Sequence, residues 1–374
     1  MKVTVLMNVF AFSCGLLAAV GAMPAMAAPS AAYRVDTIAE GLDRPWAIAF
    51  LPDGRALVSE SPGRLRLVVG GVLQATPVAG LPEGMYLGKH DGPMDIAIDP
   101  RFAENGFIYL SHAYGTDAAN NIRVIRARLI GDRVDEVRTV FEALPRKRTA
   151  SNAGGRMAFL PDETLLLTIG DAFIQREQAQ NPANHLGKTL RLTRDGKAPA
   201  DNPFVGKAGV APEVYTLGHR NAQGIAVVDG VAWISEHGPR GGDELNRLKP
   251  AANYGWPLVT HGVDYTWARV SPYTELPGME APAVNWTPSP APGGLMHYTG
   301  DLFPAWKGDF LVPMLAAKRV QRVRIGADGN VTQEALFVEL DARFRDMRQA
   351  PDGAVWLLTA GKGARLLRVV PAAP

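Results

Sequence analysis

The stretch Glu236-His237-Gly238-Pro239-Arg240-Gly241-Gly242-Asp243-Glu244-Leu245-Asn246 combines three glycines and a proline with three carboxylates. It is too rich in glycine for a helix and too charged for a core. Backbone carbonyls freed by glycine and proline, next to acidic side chains, suit a hard cation such as Ca²⁺. Just upstream, Gly218-His219-Arg220-Asn221-Ala222-Gln223-Gly224 supplies an arginine. Its guanidinium suits an anionic ligand. A cation site beside an anion site is the chemistry of a charged organic cofactor.

These residues need a rigid frame, and the chain announces one by repetition. A turn signal followed by a short apolar or β-branched run occurs at Leu51–Glu60, Asp99–His112, Leu160–Ile169, Val228–Glu236, Trp306–Met314 and Ala350–Thr359. Asp-Gly and Asn-Gly supply the positive φ of tight hairpins. Six copies, roughly 40–80 residues apart, predict an all-β chain folded as a six-bladed β-propeller of four-stranded antiparallel sheets. A β-sandwich would place strands every ~8–12 residues without the larger period. Tyr33 to Ala39 is expected to pair with the last blade and close the ring, which removes two exposed edges. The propeller is placed at residues 33–371. Its longest insertions, Leu81–Gly92, Ala172–Gly209 and Tyr254–Gly294, are expected to roof the central channel and build the binding site.

Of 374 residues, 39 are lysine or arginine and 37 aspartate or glutamate, so no strong field draws the chain to nucleic acid. Met1-Lys2, an apolar run from Val3 to Val20 and the exit Ala25-Met26-Ala27-Ala28 describe a secretory signal peptide, residues 1–28. The run is short for a membrane span, so no stable membrane insertion is expected. The single cysteine, Cys14, lies in this segment. The roughly 345 residues that remain would carry no disulfide, which suits a large core in a periplasm. A closed propeller needs no partner, so monomer and homodimer both remain open.

Several motifs follow one another in order: Glu60–Leu67, Gly155-Arg156-Met157, Gly218–Asn221, the Glu236–Asn246 loop, Asn253–Pro257, Trp286–Pro292, Arg343–Asp346 and Pro351-Asp352-Gly353. In these the chain resembles the soluble PQQ-dependent aldose sugar dehydrogenases, the glucose/sorbosone dehydrogenase family, from about Tyr33 to Val370. The resemblance implies a six-bladed propeller, PQQ over the channel, and Ca²⁺ bound to it. PQQ carries three carboxylates and an ortho-quinone, and unpaired carboxylates are costly to desolvate. The matching cations are Arg220, Arg343 and Arg345. Arg343 and Arg345 alternate about Phe344 and so would share one face of a strand. Arg220 matches the arginine at the quinone end and Asn221 its cofactor-contacting neighbour. Taken singly, each arginine also fits a surface salt bridge. The Gly238 and Pro239 carbonyls match ligands to the Ca²⁺ on PQQ, although an ordinary turn would use the same residues. Glu244 and the Tyr254 backbone oxygen match a pair holding a second, structural Ca²⁺. Trp286 is placed against the cofactor or sugar, with a core tryptophan as the equal alternative. Lys318 is read as a solvated lysine.

Two positions depart from the family pattern. Taking a proton from a hemiacetal hydroxyl as hydride leaves suits a histidine. The resemblance puts that histidine four residues before the arginine of Gly-Gly-Arg, where this chain has Asn152. Five residues before Asp95, where the family usually has glutamine, stands His90. In one reading His90 has become the base and Asn152 has become the hydrogen-bond partner at the substrate hydroxyl. In a second the site binds PQQ or a sugar but turns over poorly. In a third His90 has no catalytic role and another group serves.

The expected activity is therefore oxidation of an aldose at its anomeric hydroxyl, by hydride transfer to PQQ with Ca²⁺ assistance and onward transfer to an external electron acceptor. The competing classes are a Ca²⁺-dependent propeller lactonase, which would set carboxylates and asparagines around a metal at the channel centre, and a non-catalytic binding propeller.

Overall fold

The computed structural model describes residues 32–88, 92–149 and 151–372. Both His90 and the N-terminal segment read as a signal peptide lie outside the described residues. Twenty-four strands form six four-stranded antiparallel sheets. The chain enters through β1 (Tyr33–Asp43). Blade one follows as β2 (Pro45–Phe50), β3 (Ala56–Glu60), β4 (Arg64–Val69) and β5 (Val72–Leu73). Blade two is β6 (Pro93–Ile98), β7 (Phe107–Thr116), β8 (Ala119–Ile130) and β9 (Arg133–Glu142). Blade three is β10 (Gly154–Phe159), β11 (Leu165–Ile169), β12 (Lys188–Leu192) and β13 (Val214–Leu217). Blade four is β14 (Ala222–Val228), β15 (Val231–Glu236), β16 (Asp243–Arg247) and β17 (Val284–Trp286). Blade five is β18 (Met296–His297), β19 (Phe310–Met314), β20 (Arg319–Ile325) and β21 (Val331–Leu336). Blade six is β22 (Phe344–Gln349), β23 (Val355–Thr359) and β24 (Lys362–Pro371), completed by β1.

β1 pairs with β24 from Tyr33↔Pro371 to Asp43↔Lys362, so the expected ring closure is present and runs further than Ala39. The six sequence repeats map onto β3, β7, β11, β15, β19 and β23, the second strand of each blade. Their turn signals join first to second strands at one end of the propeller. At the other end lie the second-to-third connections and the links between blades. The site residues sit there. The insertion expected as one unit over Ala172–Gly209 is interrupted by β12, which sends residues 193–213 to the opposite end from 172–187. Residues 248–283 climb back along β13 through Leu217↔Asn253 and lay Val263 against Arg240.

The inner strands share one irregularity, and in blade five the bridge Pro292↔Met314 ahead of Met296↔Leu311 gives the same one-residue offset. An extra residue interrupts the register between Pro45 and Ala47, Pro93 and Ile96, Gly154 and Met157, Ala222 and Gly224, and Phe344 and Asp346. Such β-bulges re-aim one side chain and leave a backbone group unpaired. A hydroxyl on the second strand repairs the loss. Ser59 accepts from Ala47 N at 3.1 Å, Ser111 from Asp95 N at 3.0 Å, and Thr168 from Arg156 N at 3.0 Å. The same hydroxyls donate to the next blade, at Met94 O, Gly155 O and Ala222 O. Ser235 donates likewise to Gly293 O at 3.1 Å. In blade five β19 carries Pro313, whose carbonyl accepts from Gly293 N at 2.7 Å. No helix among the described residues is long and apolar enough to cross a membrane.

Candidate active site

The bulges bring side chains from separate blades to the channel axis. Arg156, from the β10 bulge, is fully buried there. It donates from Nε to Gln223 O at 2.6 Å and pairs through Nη1 with Asp95 at 3.3 Å and Asp346 at 3.2 Å. Its guanidinium lies 4.0 Å over the Trp46 ring. Asp95 also accepts from Met157 N, and Asp346 from Ile48 N. Burial raises the Asp95 carboxyl, opposed by Arg156 and Arg348. Buried charges survive only when paired and hydrogen-bonded in this way. The channel centre is thus filled by a guanidinium, the reverse of the ligand set a lactonase metal would need.

Above this plug opens a cavity of about 280 Å³, lined by Trp46, Met94, Asn152, Asn221, His237, Arg343 and Arg345 among others. A second space of about 310 Å³ shares Trp46, Arg343 and Arg345 with it and extends to Arg44 and Ser61. The expectation that Arg343 and Arg345 face one site is met, but not by regular alternation. Arg345 is the bulge residue of β22, between Phe344↔Thr359 and Asp346↔Leu358. Its hydrogen-bond partner is Gln223 Oε1 at 3.2 Å. Among the described residues neither Arg343 nor Arg345 has a carboxylate within ion-pair distance. Burial, then Arg156 and Arg343, pull the Arg345 guanidinium down to about 10. A cluster of cations opening into a cavity without counter-charge is a seat for an anion.

Arg220 lines neither of these cavities; it borders the small space beside Glu236 and Glu244 and meets the larger cavity through His237. It donates from Nη1 to the carbonyls of His237 at 3.2 Å and Gly238 at 2.7 Å. The Trp256 ring lies 5.4 Å away and the Tyr265 ring 5.8 Å. Its backbone is set by Glu236, which accepts from Arg220 N at 2.9 Å, His219 Nδ1 at 2.9 Å and Asn246 Nδ2 at 2.9 Å. Burial works against charge on Glu236, yet His219 and these donors hold its carboxyl below the ordinary range. His219 is held within the protein between Thr216 and Glu236.

Asn152 donates from Nδ2 to Asp171 Oδ1 at 2.8 Å. Asp171 is fully buried and also accepts from Phe173 N and Trp256 Nε1, each at 2.8 Å. Burial raises its carboxyl; Arg220 and the three donors oppose this. Gly170 permits the arrangement, because a Cβ there would stand 1.9 Å from Asn152 O. Asn152 itself has φ 50°, a region asparagine tolerates. Asp171 and Trp256 were given no role from sequence; Asp171 stands just past a strand end, and Trp256 lies within the Asn253–Pro257 motif.

The Glu236–Asn246 loop is closed by Asp243. It accepts from Gly238 N at 2.8 Å, and from Ser289 Oγ and Ala291 N. Burial pushes its carboxyl up to about 6 against these donors. Gly238 is required by packing, since a Cβ would lie 2.2 Å from Gly241 O. The Gly238 carbonyl is held by Arg220, whereas the Pro239 carbonyl accepts no hydrogen bond among the described residues. Glu244 and Tyr254 do come together, with Arg220, Glu236, Gly242 and Thr260, around a space of about 10 Å³, the size of one water or a monatomic ion. Asn246 Nδ2, at 3.0 Å, is the hydrogen-bond donor Glu244 has. Burial, then Glu236 and Asp243, push its carboxyl up to about 8. A carboxylate so placed calls for a cation. Among the described residues no three carboxylate, imidazole or thiol groups gather to hold a metal, so backbone oxygens would complete the shell.

Trp286 is a correction. It is buried in a core cluster with Leu245, Leu295 and Phe310, and donates from Nε1 to Gln333 Oε1 at 2.7 Å. It lines neither cavity. The burial of alternate residues on β17, Val284 and Trp286, is the ordinary pattern of a packed strand face. Lys318 sits at the surface against Asp341 at 2.9 Å, as read from sequence.

Residues 42–368 match the family model described as Glucose / Sorbosone dehydrogenase. The chain is 41% identical over 352 residues to the uncharacterized protein slr1608 of Synechocystis, covering 89% of this chain and 85% of that one. It is 35% identical to the aldose sugar dehydrogenase YliI of Escherichia coli, covering 93% and 95%. The PQQ-bound form of an aldose sugar dehydrogenase from Streptomyces coelicolor superposes with a TM-score of 0.74 at 27% identity, covering 92% and 99%.

Proposed function

The chain belongs to the glucose/sorbosone dehydrogenase family, and from that premise we propose that it is a quinoprotein oxidising an aldose sugar at the anomeric hydroxyl to the lactone, with PQQ and Ca²⁺ as cofactors. The observation that carries the proposal is the pair Arg343 and Arg345, cations without carboxylate partners that open into the cavity and face Asn152, Asn221 and His237 across it. The residues fit a tricarboxylate. Arg343 and Arg345 would take its carboxylates, and Arg220 and Asn221 its quinone end. The Pro239 carbonyl, free of internal donors, and the Gly238 carbonyl would face one Ca²⁺; Glu244 and Tyr254 would hold another.

When bound, PQQ supplies a two-electron acceptor that Ca²⁺ makes more electrophilic. The chain's own groups do the rest. Trp46 and Met94 wall the cavity and exclude water. Asp171 fixes the Asn152 amide with its carbonyl oxygen directed away from the Asp171 contact, so that Asn152 accepts from a sugar hydroxyl. An amide cannot take the proton, and we assign that task to His90. Met94, four residues on, lines the cavity. Each turnover releases one proton from the hydroxyl and one hydride from the anomeric carbon. The hydroxyl proton passes to His90 and on to solvent; the hydride would be taken up by the quinone, its two electrons then leaving to an external acceptor and its proton to solvent. Export through the N-terminal signal peptide would place this activity in the periplasm.

Asn152 also favours one competing reading, ligand binding with little turnover. Reconstitution separates the two. Purified protein given PQQ and Ca²⁺ should reduce an artificial dye with glucose or another aldose. Binding of PQQ without dye reduction by any aldose supports the competing reading; no binding of PQQ defeats both.

A further inference from the structure

A group of aromatic side chains stands in water beside Arg220 and has no part in the chemistry above. Trp267 is 71% exposed, Tyr265 48% and Phe173 43%, whereas Trp46, Trp256, Trp286, Trp306 and Trp356 are all buried. The group is ordered by contacts. Phe173 and Tyr265 stack at 6.0 Å and 29°. Arg240 lies 4.2 Å over one face of Trp267 and donates from Nε to Tyr265 O. A turn headed by Asp264, which accepts from Thr266 N and Arg176 Nη1, holds Trp267 at φ 70°. That backbone region is costly for a bulky residue, and here it presents the indole outward.

We propose that Phe173, Tyr265, Trp267 and Arg240 form a second sugar subsite, which takes the ring next to the reducing end of a di- or oligosaccharide. This rests on the aldose-oxidising function proposed above. Three features favour a sugar as occupant. The subsite is continuous with the reacting end, because Tyr265 OH lies 3.5 Å from Arg220 Nη2 and Arg220 packs on Trp256, the donor to Asp171. The rings alternate with Arg240, Arg176 and Asp264. A pyranose offers axial C–H groups to a ring face and equatorial hydroxyls to charged neighbours, and so matches that alternation. A protein partner would bury a continuous apolar patch instead, which these charges interrupt. Finally, Arg240 covers one face of the indole, leaving the other to stack.

The test uses the full reconstituted protein and the variants Trp267→Ala and Trp267→Gly, both of which remove the indole, the second without strain at φ 70°. Glucose oxidation should be unchanged, while kcat/KM for cellobiose and maltose should fall about tenfold, mostly through KM. Independently of turnover, titrating cofactor-free protein with maltotriose or cellotriose should quench tryptophan fluorescence saturably in the wild type and not in Trp267→Ala. If both variants keep the disaccharide-to-glucose ratio and the wild type shows no saturable quenching, the subsite is refuted. If instead the KM of the dye rises and that of the sugars does not, the rim serves the oxidant and the proposal fails. Should the wild type oxidise no sugar at all, the redox function fails, and the fluorescence titration still decides the subsite.

Discussion

Removing the Arg345 charge should strengthen the empty protein and weaken the loaded one. Burial, Arg156 and Arg343 together bring this guanidinium from its ordinary value to about 10. At about 1.4 kcal/mol per pH unit, that displacement is worth ~3 kcal/mol against the charged form. Arg345 keeps some surface in water, which trims the figure to about 1–2 kcal/mol. Arg345→Met retains the stem and removes the charge; it gives up the 3.2 Å bond to Gln223, a contact on the order of 1 kcal/mol. The cofactor-free variant should therefore melt at the wild-type temperature or up to about 3 °C above it. Between pH 5 and 9 the wild-type guanidinium is charged folded and unfolded, so this difference should not change with pH. PQQ binding should lose about 2–4 kcal/mol, or roughly 30- to 1,000-fold in affinity, because a cofactor carboxylate is left without its partner. Melting curves with and without PQQ, plus titration of the quinone absorbance, measure both. A cofactor-free variant that melts several degrees lower would mean that Arg345 is satisfied within the protein. The site would then not be built for an anion.

Glu244 makes the pH prediction. Its carboxyl is raised to about 8, so its contribution to stability is complete below the ordinary carboxylate range and is lost as pH rises towards 8. Protein stripped by chelator should lose melting temperature between pH 5 and 8, and Glu244→Gln should remove that slope. Calcium competes with the proton, so its affinity should fall about tenfold per pH unit below 8; calorimetric titration at pH 6, 7 and 8 reads this directly. His90→Gln should lower kcat at least ~100-fold without loosening PQQ, and Asn152→His in that background should restore turnover. Normal turnover by His90→Gln removes His90 as the base. Ser111→Ala should cost about 1–3 kcal/mol, since the Asp95 amide and the Gly155 carbonyl both lose a buried partner. Chemical denaturation measures it, and a neutral result would mean the bulge repair is dispensable.

The frame was legible because it repeats. Leu51–Glu60 and its five counterparts each announce a hairpin, and each hairpin proved to be the first-to-second-strand turn of a blade. Those turns lie at the end of the propeller away from the site. The site end is written in connections that differ from blade to blade, so Asp171 and Trp256 could not be paired before the chain was folded. Arg343 and Arg345 were legible as a pair, yet the reason for their shared direction was a bulge that no local pattern announced. Trp286 misled because a motif fixes identity without fixing which side of a strand the residue faces. The Val284–Trp286 alternation held that information. The rim around Trp267 escaped notice because three aromatic residues from two insertions have no sequence spacing in common.

The bulges explain how one architecture can carry a site at all. A regular inner strand would point alternate side chains into the packing between blades, and nothing would aim at the mouth of the channel. One extra residue in each of these inner strands turns Trp46, Met94, Arg156, Gln223 and Arg345 towards the axis. The serine and threonine hydroxyls repair the broken ladder and tie the next blade to it in the same bonds. The plug of Arg156 and Arg348 with Asp95 and Asp346 balances two guanidinium groups against two carboxylates and is sealed. Arg343 and Arg345 stand just above it, and the Arg156 and Arg343 guanidinium groups beside Arg345 outweigh the Asp346 carboxylate. Their charge is directed outward because the layer beneath cannot absorb it. Lowering that layer's negative charge, not altering the cavity wall, is therefore the change that would most sharpen the demand for an anion at the mouth.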